Sequence, residues 1–453
     1  MKYETDSRLI KEGQIFVAIK GHTVDGHDYI EIAIKNGATS IITNRDLKIS
    51  VPYKKVKDPE KYLHKLLVNE YSHEFKNLKI IGVTGTNGKT TTCYLIYQLL
   101  KELGQKVAYI GTIGFYYNDK YRELPNTTPD ILHLYKLLLE AKENNIEYIV
   151  MEVSSHALSL ERIAGIKFDI AAFTNLTQDH LDYHHTMANY LKAKIKIIDY
   201  LKKDGILILN SDDKASNKFK YHHIFEVGLN GDYKIIDYKY NPDSTVITFT
   251  IDKKNYQVKT NLINNFNIYN YLMSLAIINN LDFDIKEIIA KTNKIYPPKG
   301  RCETLKVNNS YAVIDYAHTP DAVEKIIKAY KELKIGRVIT VVGCGGDRDP
   351  KKRPIMGSLS TSLSDEVIFT SDNPRTENPD DIIKDIIKEN KANNYQVIVD
   401  RKKAIIAGLN KLKDNDFLLI LGKGHEDYQI IGHEKIHFSD IEIVKDNIPK
   451  KQN

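Results

Sequence analysis

The sequence lacks several features that would place it in a specialised class of protein. It has no tryptophan and three cysteines, and Cys93, Cys302 and Cys344 lie too far apart for metal or redox spacing. No apolar run approaches the roughly 18 residues that a membrane-spanning helix needs. Acidic residues stand near the start, where a secretory signal would be basic and then apolar. These absences predict a reduced, cytoplasmic protein without a membrane segment.

A large charge of one sign is also missing. The 453 residues include 65 Lys and Arg against 59 Asp and Glu, which gives a formal net charge of +6. Because the basic residues are scattered, we favour a solvated, lysine-rich surface over a nucleic-acid interface. A hydrophobic fraction of 42% with 27% charged residues is ordinary globular composition and excludes a largely disordered or fibrous chain.

Strand and helix patterns alternate along most of the chain. This alternation predicts mostly parallel sheets covered on both faces, with one antiparallel hairpin at 246–258 that turns at 252–255. Pro297-Pro298-Lys299-Gly300 is the clearest linker, because paired prolines end a helix and extend the chain. The predicted fold class is therefore α/β with three domains: a small α/β N-terminal domain (1–76), a central P-loop ATPase-like parallel-sheet domain (77–296) and a C-terminal Rossmann-like α/β domain (297–453).

A glycine-rich turn between a predicted strand and a predicted helix is the most specific motif. It reads Thr84-Gly85-Thr86-Asn87-Gly88-Lys89-Thr90. At such a turn, backbone N–H groups and a helix N-terminus bind phosphates, the lysine neutralises the β and γ groups, and the threonine can hold Mg²⁺. Val83 departs from the usual first glycine, but Gly-Lys-Thr in this position favours nucleotide binding over a merely connecting turn.

Polar side chains follow other predicted strands. Glu152 is expected at a strand end beside the phosphate loop, where a carboxylate can bind the Mg²⁺ of a nucleotide, or else it is an acid facing water. His180 is either a metal ligand or proton carrier, or a polar surface residue. Taken alone, Lys192, Lys194 and Lys196 are typical of solvated helix lysines.

Further polar motifs follow the proline linker, mostly where strands are predicted to end; they occupy residues 300–303, 315–320, 343–350, 370–377 and 422–428. Arg348 and Arg375 are fork-shaped donors suited to carboxylates, and Glu426 suits an ammonium group. If these side chains converge on one crevice, they would bind an amino acid; otherwise they only face water. The run Gly343-Cys344-Gly345-Gly346 lacks a full G-x-G-x-x-G pattern, which disfavours NAD binding.

With these motifs in view, the chain resembles the Mur ligases, the ATP-dependent amide-forming enzymes of peptidoglycan synthesis. The resemblance covers essentially the whole chain and rests on Asp-Tyr-Ala-His-Thr-Pro-Asp-Ala (315–322), Gly-Gly-Asp-Arg-Asp (345–349) and Asp-Asn-Pro-Arg (372–375). It implies a ligase that uses ATP and two Mg²⁺ to join an amino acid to UDP-MurNAc-L-Ala-D-Glu through an acyl phosphate. We expect a monomer that binds neither nucleic acid nor membrane.

The resemblance also implies the residues at the ATP end of the site. Lys89, Glu152, His180 and Lys194 would be catalytic, with Thr90 and Glu152 at a first Mg²⁺ and His180 and Lys194 at a second. Lys194 has the Tyr-x-x-Ala-Lys context in which the family's lysine is carbamylated, and the resulting N6-carboxylysine can ligate Mg²⁺; this overturns the plain interpretation of Lys194. The residues expected to bind ATP are Gly85, Thr86, Asn87, Gly88, Lys89, Thr90, Thr91, Asn267, Asn270, Arg301, Asp315 and His318.

The substrate residues follow in the same way. Ser7 and His22 would bind the uridine end, and the sugar and dipeptide would contact Thr127, Thr128, Ser154 and Arg162. The incoming amino acid would contact Arg348, Asp372, Asn373, Arg375, Gly422 and Glu426.

The identity of that amino acid depends on Arg375. The sequence Asp-Asn-Pro-Arg resembles the enzymes that add meso-diaminopimelate, whose second carboxylate Arg375 could pair, whereas lysine would leave the guanidinium unmatched. Ligation of L-lysine or meso-lanthionine remains an alternative. So do a folylpolyglutamate-type ligase, which the small N-terminal domain disfavours, and a nucleotide-gated binding protein without catalysis.

Overall fold

The computed structural model of the chain describes residues 1–21, 24–241 and 244–448. Within these ranges the strands form sheets of 4, 11 and 6 strands, which follow one another along the sequence, and one two-stranded sheet. We refer to the first three as the N-terminal, central and C-terminal sheets. Helices alternate with strands in each, so the predicted α/β class is confirmed. No helix in the described ranges is long and apolar enough to cross a membrane.

The N-terminal sheet is parallel throughout, in the order β1-β2-β3-β4. Its elements are β1 (Tyr3–Glu4), β2 (Ile15–Val17), α1 (Ile30–Lys35), β3 (Ser40–Thr43), β4 (Tyr53–Lys55) and α2 (Pro59–Tyr71). Asp58 caps α2 by accepting a hydrogen bond from Lys61 N, and Pro59 occupies the first turn, where its missing N–H costs nothing. Leu63 and Leu67 of α2 are buried in the core that continues under the central sheet.

The central sheet has the order β15-β14-β13-β12-β11-β10-β5-β9-β6-β7-β8. Its strands are β5 (Lys79–Thr84), β6 (Val107–Gly111), β7 (Gly114–Tyr117), β8 (Lys120–Arg122), β9 (Tyr148–Glu152), β10 (Phe168–Phe173), β11 (Leu201–Asn210), β12 (Ile224–Gly228), β13 (Tyr233–Asn241), β14 (Ser244–Ile251) and β15 (Lys254–Thr260). Its helices are α3 (Lys89–Glu102), α4 (Ile131–Glu143), α5 (Ser155–Ser159), α6 (Leu181–His184), α7 (Met187–Ile195), α8 (Asn265–Asn279) and α9 (Ile285–Lys291).

The order of strands in the middle of this sheet positions the site. β5 pairs in parallel with β10 on one side and with β9 on the other. Because parallel strands end at the same edge, the segments after β5, β9 and β10 meet there. Separate apolar clusters cover the two faces of the sheet, as a parallel sheet requires.

The predicted hairpin at 246–258 is confirmed, but its turn is shorter than predicted. β14 and β15 pair antiparallel from Thr245 with Thr260 to Ile251 with Lys254. Only Asp252 and Lys253 lie between the strands, with φ angles of +48° and +65°. Two residues with positive φ give a turn whose twist matches that of the strands, so the strands extend further than hydrophobicity alone indicated.

The C-terminal sheet has the order β16-β17-β21-β18-β19-β20, with apolar clusters on both faces. Apart from the antiparallel β16, its strands are parallel, so the predicted motifs after β17, β18, β19 and β21 share one edge. The elements are β16 (Glu303–Val307), β17 (Ser310–Asp315), α10 (Pro320–Glu332), β18 (Val338–Val342), α11 (Lys352–Leu363), β19 (Glu366–Phe369), α12 (Pro379–Ile387), β20 (Tyr395–Val397), α13 (Arg401–Asn410), β21 (Phe417–Leu421), β22 (Tyr428–Ile431), β23 (Glu434–His437) and α14 (Asp440–Asp446).

Candidate active site

The turn between β5 and α3 has the geometry of a phosphate loop. Gly85 and Gly88 have φ angles of +147° and +86°, which favour glycine, and a β-carbon on Gly88 would collide with the side-chain oxygen of Asn270. The Lys89 ammonium donates to the carbonyl oxygens of Gly85 at 3.0 Å and Thr86 at 2.9 Å, and burial lowers the pKa of Lys89. Gly88 precedes the first residue of α3. The positive end of a helix and a cation therefore face the same turn.

Residues after β10 hold this loop in place. The Asn175 side-chain oxygen accepts from Asn87 N at 2.9 Å, and the Asn175 carbonyl oxygen accepts from Thr86 N at 2.9 Å. The Thr174 hydroxyl donates to the Asn87 carbonyl oxygen at 2.6 Å. Sequence reasoning assigned no role to Thr174 or Asn175, and the only signal was their position at a strand end. They fix the backbone that would face the phosphates.

Glu152 lies beside the phosphate loop, as predicted. It is fully buried at the end of β9, and its carboxylate accepts from the hydroxyls of Thr90 at 2.9 Å and Thr112 at 3.1 Å. Thr112 N at 2.8 Å and the Tyr109 hydroxyl donate to it as well. Sequence reasoning missed Thr112 and Tyr109. Thr90 and Glu152 together present the oxygen atoms that Mg²⁺ prefers, and Thr91, the next residue of α3, is also buried.

The described residues contain no group of three or more His, Cys, Asp or Glu side chains that could hold a metal ion. A divalent ion at Thr90 and Glu152 would therefore complete its shell with phosphate oxygens and water, as Mg²⁺ commonly does. The residues present fit such a partial shell.

Lys194 differs sharply from its neighbours on α7. It is 1% exposed, and its ammonium donates to the Gly85 carbonyl oxygen at 2.7 Å and lies 4.4 Å from the centre of the Tyr190 ring. Lys192 and Lys196 are exposed. Burial, with a further contribution from Lys89, holds the pKa of Lys194 well below its ordinary value. A neutral amine is the form that reacts with CO₂, so the surroundings of Lys194 fit carbamylation.

His180 lies in the same part of the site with its ring partly open to solvent. Its backbone has a φ of +52° at the start of α6, and its ring meets the His156 ring edge-on at 4.9 Å. Burial lowers the pKa of His180; Asp179 opposes this shift, and Lys89 and Lys194 add to it. The imidazole is therefore held in its neutral form, the form able to ligate a metal.

Asn267 and Asn270 are buried on α8 next to the phosphate loop. Asn270 accepts from the Thr92 hydroxyl at 3.3 Å and donates to the Asn267 side-chain oxygen at 3.0 Å. Asn267 in turn donates to the Ile263 carbonyl oxygen at 2.9 Å. This chain of amides fixes the orientation of both side chains beside the loop. Their contact with adenine remains a prediction.

Arg301, Asp315 and His318 gather at the end of β17. The Asp315 carboxylate accepts from Cys302 N at 2.7 Å and Ala317 N at 2.8 Å, and burial raises its pKa. The Arg301 guanidinium lies 4.7 Å from the centre of the Tyr316 ring, and the His318 ring hydrogen-bonds the Tyr316 carbonyl oxygen at 2.7 Å. The side chain of Asn87 in the phosphate loop also lies 3.4 Å from the Asp321 carboxylate. This contact connects the edges of the central and C-terminal sheets.

The residues predicted for the sugar and dipeptide form one connected group beside Glu152. The Arg162 guanidinium donates to the Thr128 carbonyl oxygen at 3.1 Å, and the Thr128 hydroxyl donates to the Glu152 carbonyl oxygen at 2.8 Å. Ser154 N donates to the Thr128 hydroxyl at 3.0 Å. The Thr127 hydroxyl lies 3.0 Å from that of Thr112, which also binds the Glu152 carboxylate. A substrate held by this group would lie next to the phosphate loop.

The predicted uridine residue Ser7 lies between β1 and β2 of the N-terminal sheet. Ser7 is buried, and its carbonyl oxygen accepts from Asn36 at 2.9 Å. His22 lies outside the described residues. A cavity of about 410 Å³ opens nearby, between the end of β2 and the start of α2, a size that is usual for small-molecule sites. Its lining includes Lys20, His27, Asn44, Lys57 and Lys61.

The residues predicted for the incoming amino acid lie along the edge of the C-terminal sheet. Glu426 accepts from the Asn373 side chain at 2.8 Å, and a β-carbon on Gly422 would collide with the Asp372 carboxylate. The Arg375 guanidinium donates to the Gly346 carbonyl oxygen at 2.8 Å. A β-carbon on Gly345 would contact the side chains of both Arg375 and Arg348, so both side chains lie close to this glycine. Arg348, Arg375 and Glu426 thus lie in segments at the same edge of the C-terminal sheet, and their binding of an amino acid remains a prediction.

Sequence reasoning assigned no role to Lys423, which organises this crevice. Lys423 is fully buried, and its ammonium donates to the Asn373 side-chain oxygen at 3.1 Å and to the Glu426 carboxylate at 3.1 Å. Asn373 accepts additionally from Ile430 N at 3.0 Å. These bonds leave the Asn373 NH₂ group facing Glu426, so Lys423 determines the orientation of both polar side chains.

Family comparisons agree with this arrangement along the length of the chain. Residues 3–74 match the model "Mur ligase family, catalytic domain", residues 83–278 match "Mur ligase middle domain", and residues 300–424 match "Mur ligase, glutamate ligase domain". The chain belongs to the Mur ligase family.

The relatives of this chain described next share the name of one ligase. The chain is 44% identical to "UDP-N-acetylmuramoyl-L-alanyl-D-glutamate--2,6-diaminopimelate ligase" of Fusobacterium nucleatum subsp. nucleatum, over 99% of this chain and 94% of the relative. It is 42% identical to the ligase of that name numbered 1 in Clostridium acetobutylicum, over 98% and 93%. A solved structure whose title gives the same ligase name superposes with a TM-score of 0.71 at 31% identity, over 98% of this chain and 94% of that one.

Proposed function

We propose that this chain is an ATP-dependent ligase that joins meso-2,6-diaminopimelate to UDP-MurNAc-L-Ala-D-Glu. The observation that carries the proposal is the junction at Glu152. The Glu152 carboxylate binds Thr90 of the phosphate loop, and its backbone carbonyl binds Thr128 of the substrate group. A nucleotide γ-phosphate and a substrate carboxylate would therefore meet beside one residue. The names of the curated relatives describe this reaction.

The three sheets belong to three domains, with proposed boundaries at 1–76, 77–296 and 297–453, and each domain would bind a different substrate. The N-terminal part binds the uridine end through Ser7 and His22, and the cavity beside β2, which Ser7 does not line, offers room for a small molecule in the same part. The central part binds ATP and the dipeptide, and the C-terminal part binds diaminopimelate. The contact of 3.4 Å between the side chains of Asn87, in the phosphate loop, and Asp321, in α10, supports this division.

The proposed reaction has two steps, the formation of an acyl phosphate and the formation of the amide. The side-chain carboxylate of the D-glutamate attacks the γ-phosphorus of ATP, the bond to the β,γ-bridging oxygen breaks and ADP leaves, with Lys89 placed to stabilise the charge on the phosphates. The resulting acyl phosphate is attacked by the amine of diaminopimelate, and phosphate leaves to give the amide. The Glu426 carboxylate would hold an ammonium group, which must lose a proton before the amine attacks. Closure of the C-terminal part would exclude water, which otherwise hydrolyses the acyl phosphate.

Mg²⁺, when bound, would neutralise charge on the transferring phosphate. Thr90 and Glu152 would hold one ion. His180 and Lys194 would contribute to a second once Lys194 carries a carbamate, because the modification replaces a cation with a carboxylate. The buried amine of Lys194 and the neutral imidazole of His180 support this assignment.

Arg375 supports diaminopimelate over lysine. Its Nη1 atom is held by the Gly346 carbonyl oxygen and lies close to Gly345. A second carboxylate on the amino acid would pair with this guanidinium, whereas lysine would bring a second positive charge to it. Lanthionine carries the same far carboxylate and remains the alternative substrate.

The proposed reaction places the protein in cell-wall biogenesis, and thereby in cell shape and cell division. Both ATP and UDP-linked precursors are cytoplasmic metabolites, which supports a cytoplasmic location. We further propose that the protein works as a monomer.

The direct test is to incubate the purified protein with ATP, Mg²⁺, UDP-MurNAc-L-Ala-D-Glu and one amino acid, and to measure amide formation. We expect product with diaminopimelate and little with lysine. Product with lysine alone would overturn the specificity, and absence of product with diaminopimelate, lanthionine and lysine would overturn the function. A folylpolyglutamate-type ligase would instead extend a folate with glutamate, and a nucleotide-gated binding protein would bind ATP without forming an amide.

A further inference from the structure

The linker residue Tyr296 is held by one side chain of α3. Gln98 Nε2 donates to the Tyr296 carbonyl oxygen at 2.8 Å, and Tyr296 N donates to Gln98 Oε1 at 3.2 Å. One primary amide thus pairs with both backbone groups of one distant residue, as a neighbouring strand would. Tyr296 as a residue is 58% exposed, and both hydrogen bonds go to its backbone, so it is the backbone that is held.

The chain just before Tyr296 is attached to the same helix. The Lys294 ammonium pairs with the Glu102 carboxylate at 2.9 Å, and Glu102 follows Gln98 by one helical turn on the same face of α3. Ile295 is fully buried in the apolar cluster that contains α3. The linker is therefore fixed to the central sheet up to Tyr296.

The chain just after the prolines is attached to the C-terminal sheet. Gly300 has a φ of +67°, and a β-carbon on it would collide with the backbone of Gly424 and His425, in the segment after β21. Arg301 N donates to the Pro298 carbonyl oxygen at 3.0 Å and closes a turn. Residues 297–299 lie between the two attachments, and the prolines fix φ at about −65°.

We propose that Gln98 is a positioning residue that makes the Tyr296–Pro297 step the pivot between the central and C-terminal parts. The same helix begins at Lys89 in the phosphate loop, so one rigid element carries both the nucleotide site and the anchor of the pivot. With Tyr296 held, few backbone torsions remain free, and the amino-acid crevice moves along a defined path toward the phosphate loop. This inference rests on the ligase function proposed above.

The defined path of closure matters because the acyl phosphate is exposed to water whenever the edges of the central and C-terminal sheets are apart. Without the Gln98 amide, the chain before Pro297 gains freedom and the C-terminal part samples more orientations. The closed arrangement is then populated less, and more acyl phosphate is hydrolysed. The expected defect is in coupling, measured as phosphate released per amide formed, and not in ATP binding.

Gln98→Met tests this, because methionine has a similar length and helix propensity but cannot form the two hydrogen bonds. We expect the phosphate released in excess of amide, per amide formed, to rise roughly threefold to tenfold, the scale of one or two neutral hydrogen bonds, while the KM for ATP changes by less than about twofold. Gln105→Met is the matched control. Its amide donates to the Leu103 carbonyl oxygen two residues away, and the ratio should stay at the wild-type value.

A folded Gln98→Met protein with the wild-type ratio would overturn the inference. If that variant does not fold, Gln98→Glu replaces it, since a carboxylate accepts from Tyr296 N but cannot donate to its carbonyl oxygen; a wild-type ratio would again overturn the proposal. If the wild type forms no amide, the ligase function fails separately. Small-angle X-ray scattering then decides: the Gln98 variant should show a larger radius of gyration than the wild type, and identical curves would contradict a pivot.

Discussion

At the scale of single residues, burial separates lysines that composition treats alike. Lys194 and Lys423 are 1% and 0% exposed, whereas Lys192 on the same helix as Lys194 is exposed. The family motif pointed to Lys194, although physical reasoning on the sequence took it for a solvated helix lysine. Nothing local pointed to Lys423, because its role depends on Asn373, which lies 50 positions away.

The buried amine of Lys194 predicts reversible modification by CO₂. Burial and the nearby Lys89 lower its pKa, so more of the amine is neutral near pH 7 than for an ordinary lysine, and only the neutral amine forms a carbamate. With ¹³C-bicarbonate, we expect a carbamate signal by NMR in the wild type and in Lys192→Ala, and none in Lys194→Ala. Ligation should fall in Lys194→Ala and recover partly with small carboxylates. A carbamate signal that survives in Lys194→Ala would contradict the assignment.

The bonds of Lys423 predict a defect confined to the amino acid. Lys423→Met removes the ammonium that orients Asn373 and Glu426 and leaves the Glu426 carboxylate without its buried cation. We expect the KM for diaminopimelate to rise about tenfold or more, the scale of a lost charge-assisted hydrogen bond, with the KM for ATP unchanged. Lys435→Met is the control, because Lys435 is an exposed lysine that lies over the Tyr428 ring in the same part of the chain. Equal effects of both substitutions would refute an orienting role.

At the scale of elements, local signals predicted helices and strands well and could not predict their neighbours. Asn378 caps α12 and Pro379 occupies its first turn, and both signals act within a few residues. The site depends instead on β5 lying between β9 and β10. That order brings Glu152 and Asn175 to one loop from separate strands, and no short-range pattern encodes it. The short β7–β8 hairpin was also missed, since its few residues carry little periodicity.

The last helix gives a prediction at this scale. Arg401 at the start of α13 and Asp440 at the start of α14 are both fully buried, and their side chains pair at 2.7 Å. Arg401→Met leaves the Asp440 charge buried without its partner, and we expect a loss of roughly 3–5 kcal/mol in unfolding free energy. Denaturant unfolding measures this, and the double variant Arg401→Met/Asp440→Leu should recover much of it. Lys402→Met, at an exposed neighbour, should change little. A single variant as stable as the wild type would show that the pair contributes nothing.

At the scale of the whole molecule, some residues that precede the linker pack against the core of the C-terminal sheet. Ile263 and Phe266 precede or begin α8, inside the segment matched by the middle-domain model, 83–278. Both nevertheless pack with the core of the C-terminal sheet, where Ile263 is 3% exposed beside residues such as Val313 and Leu419. The two sheets therefore share apolar contacts close to the linker, which is where a pivot can keep its packing while the distant edges move.

This shared packing predicts that a substitution in the central segment loosens the C-terminal sheet. Ile263→Ala should cost about 2–5 kcal/mol, as buried Ile→Ala changes do, and amide hydrogen exchange should accelerate in β17 and β21. Ile288→Ala is the matched control, since Ile288 is fully buried in the cluster of the central sheet and should cost a similar amount while leaving exchange in β17 and β21 unchanged. If both variants accelerate exchange equally, the chain unfolds as one unit. If neither variant accelerates hydrogen exchange in β17 and β21, Ile263 belongs energetically to the central sheet. The apolar packing beside the linker would then contribute nothing to the C-terminal sheet.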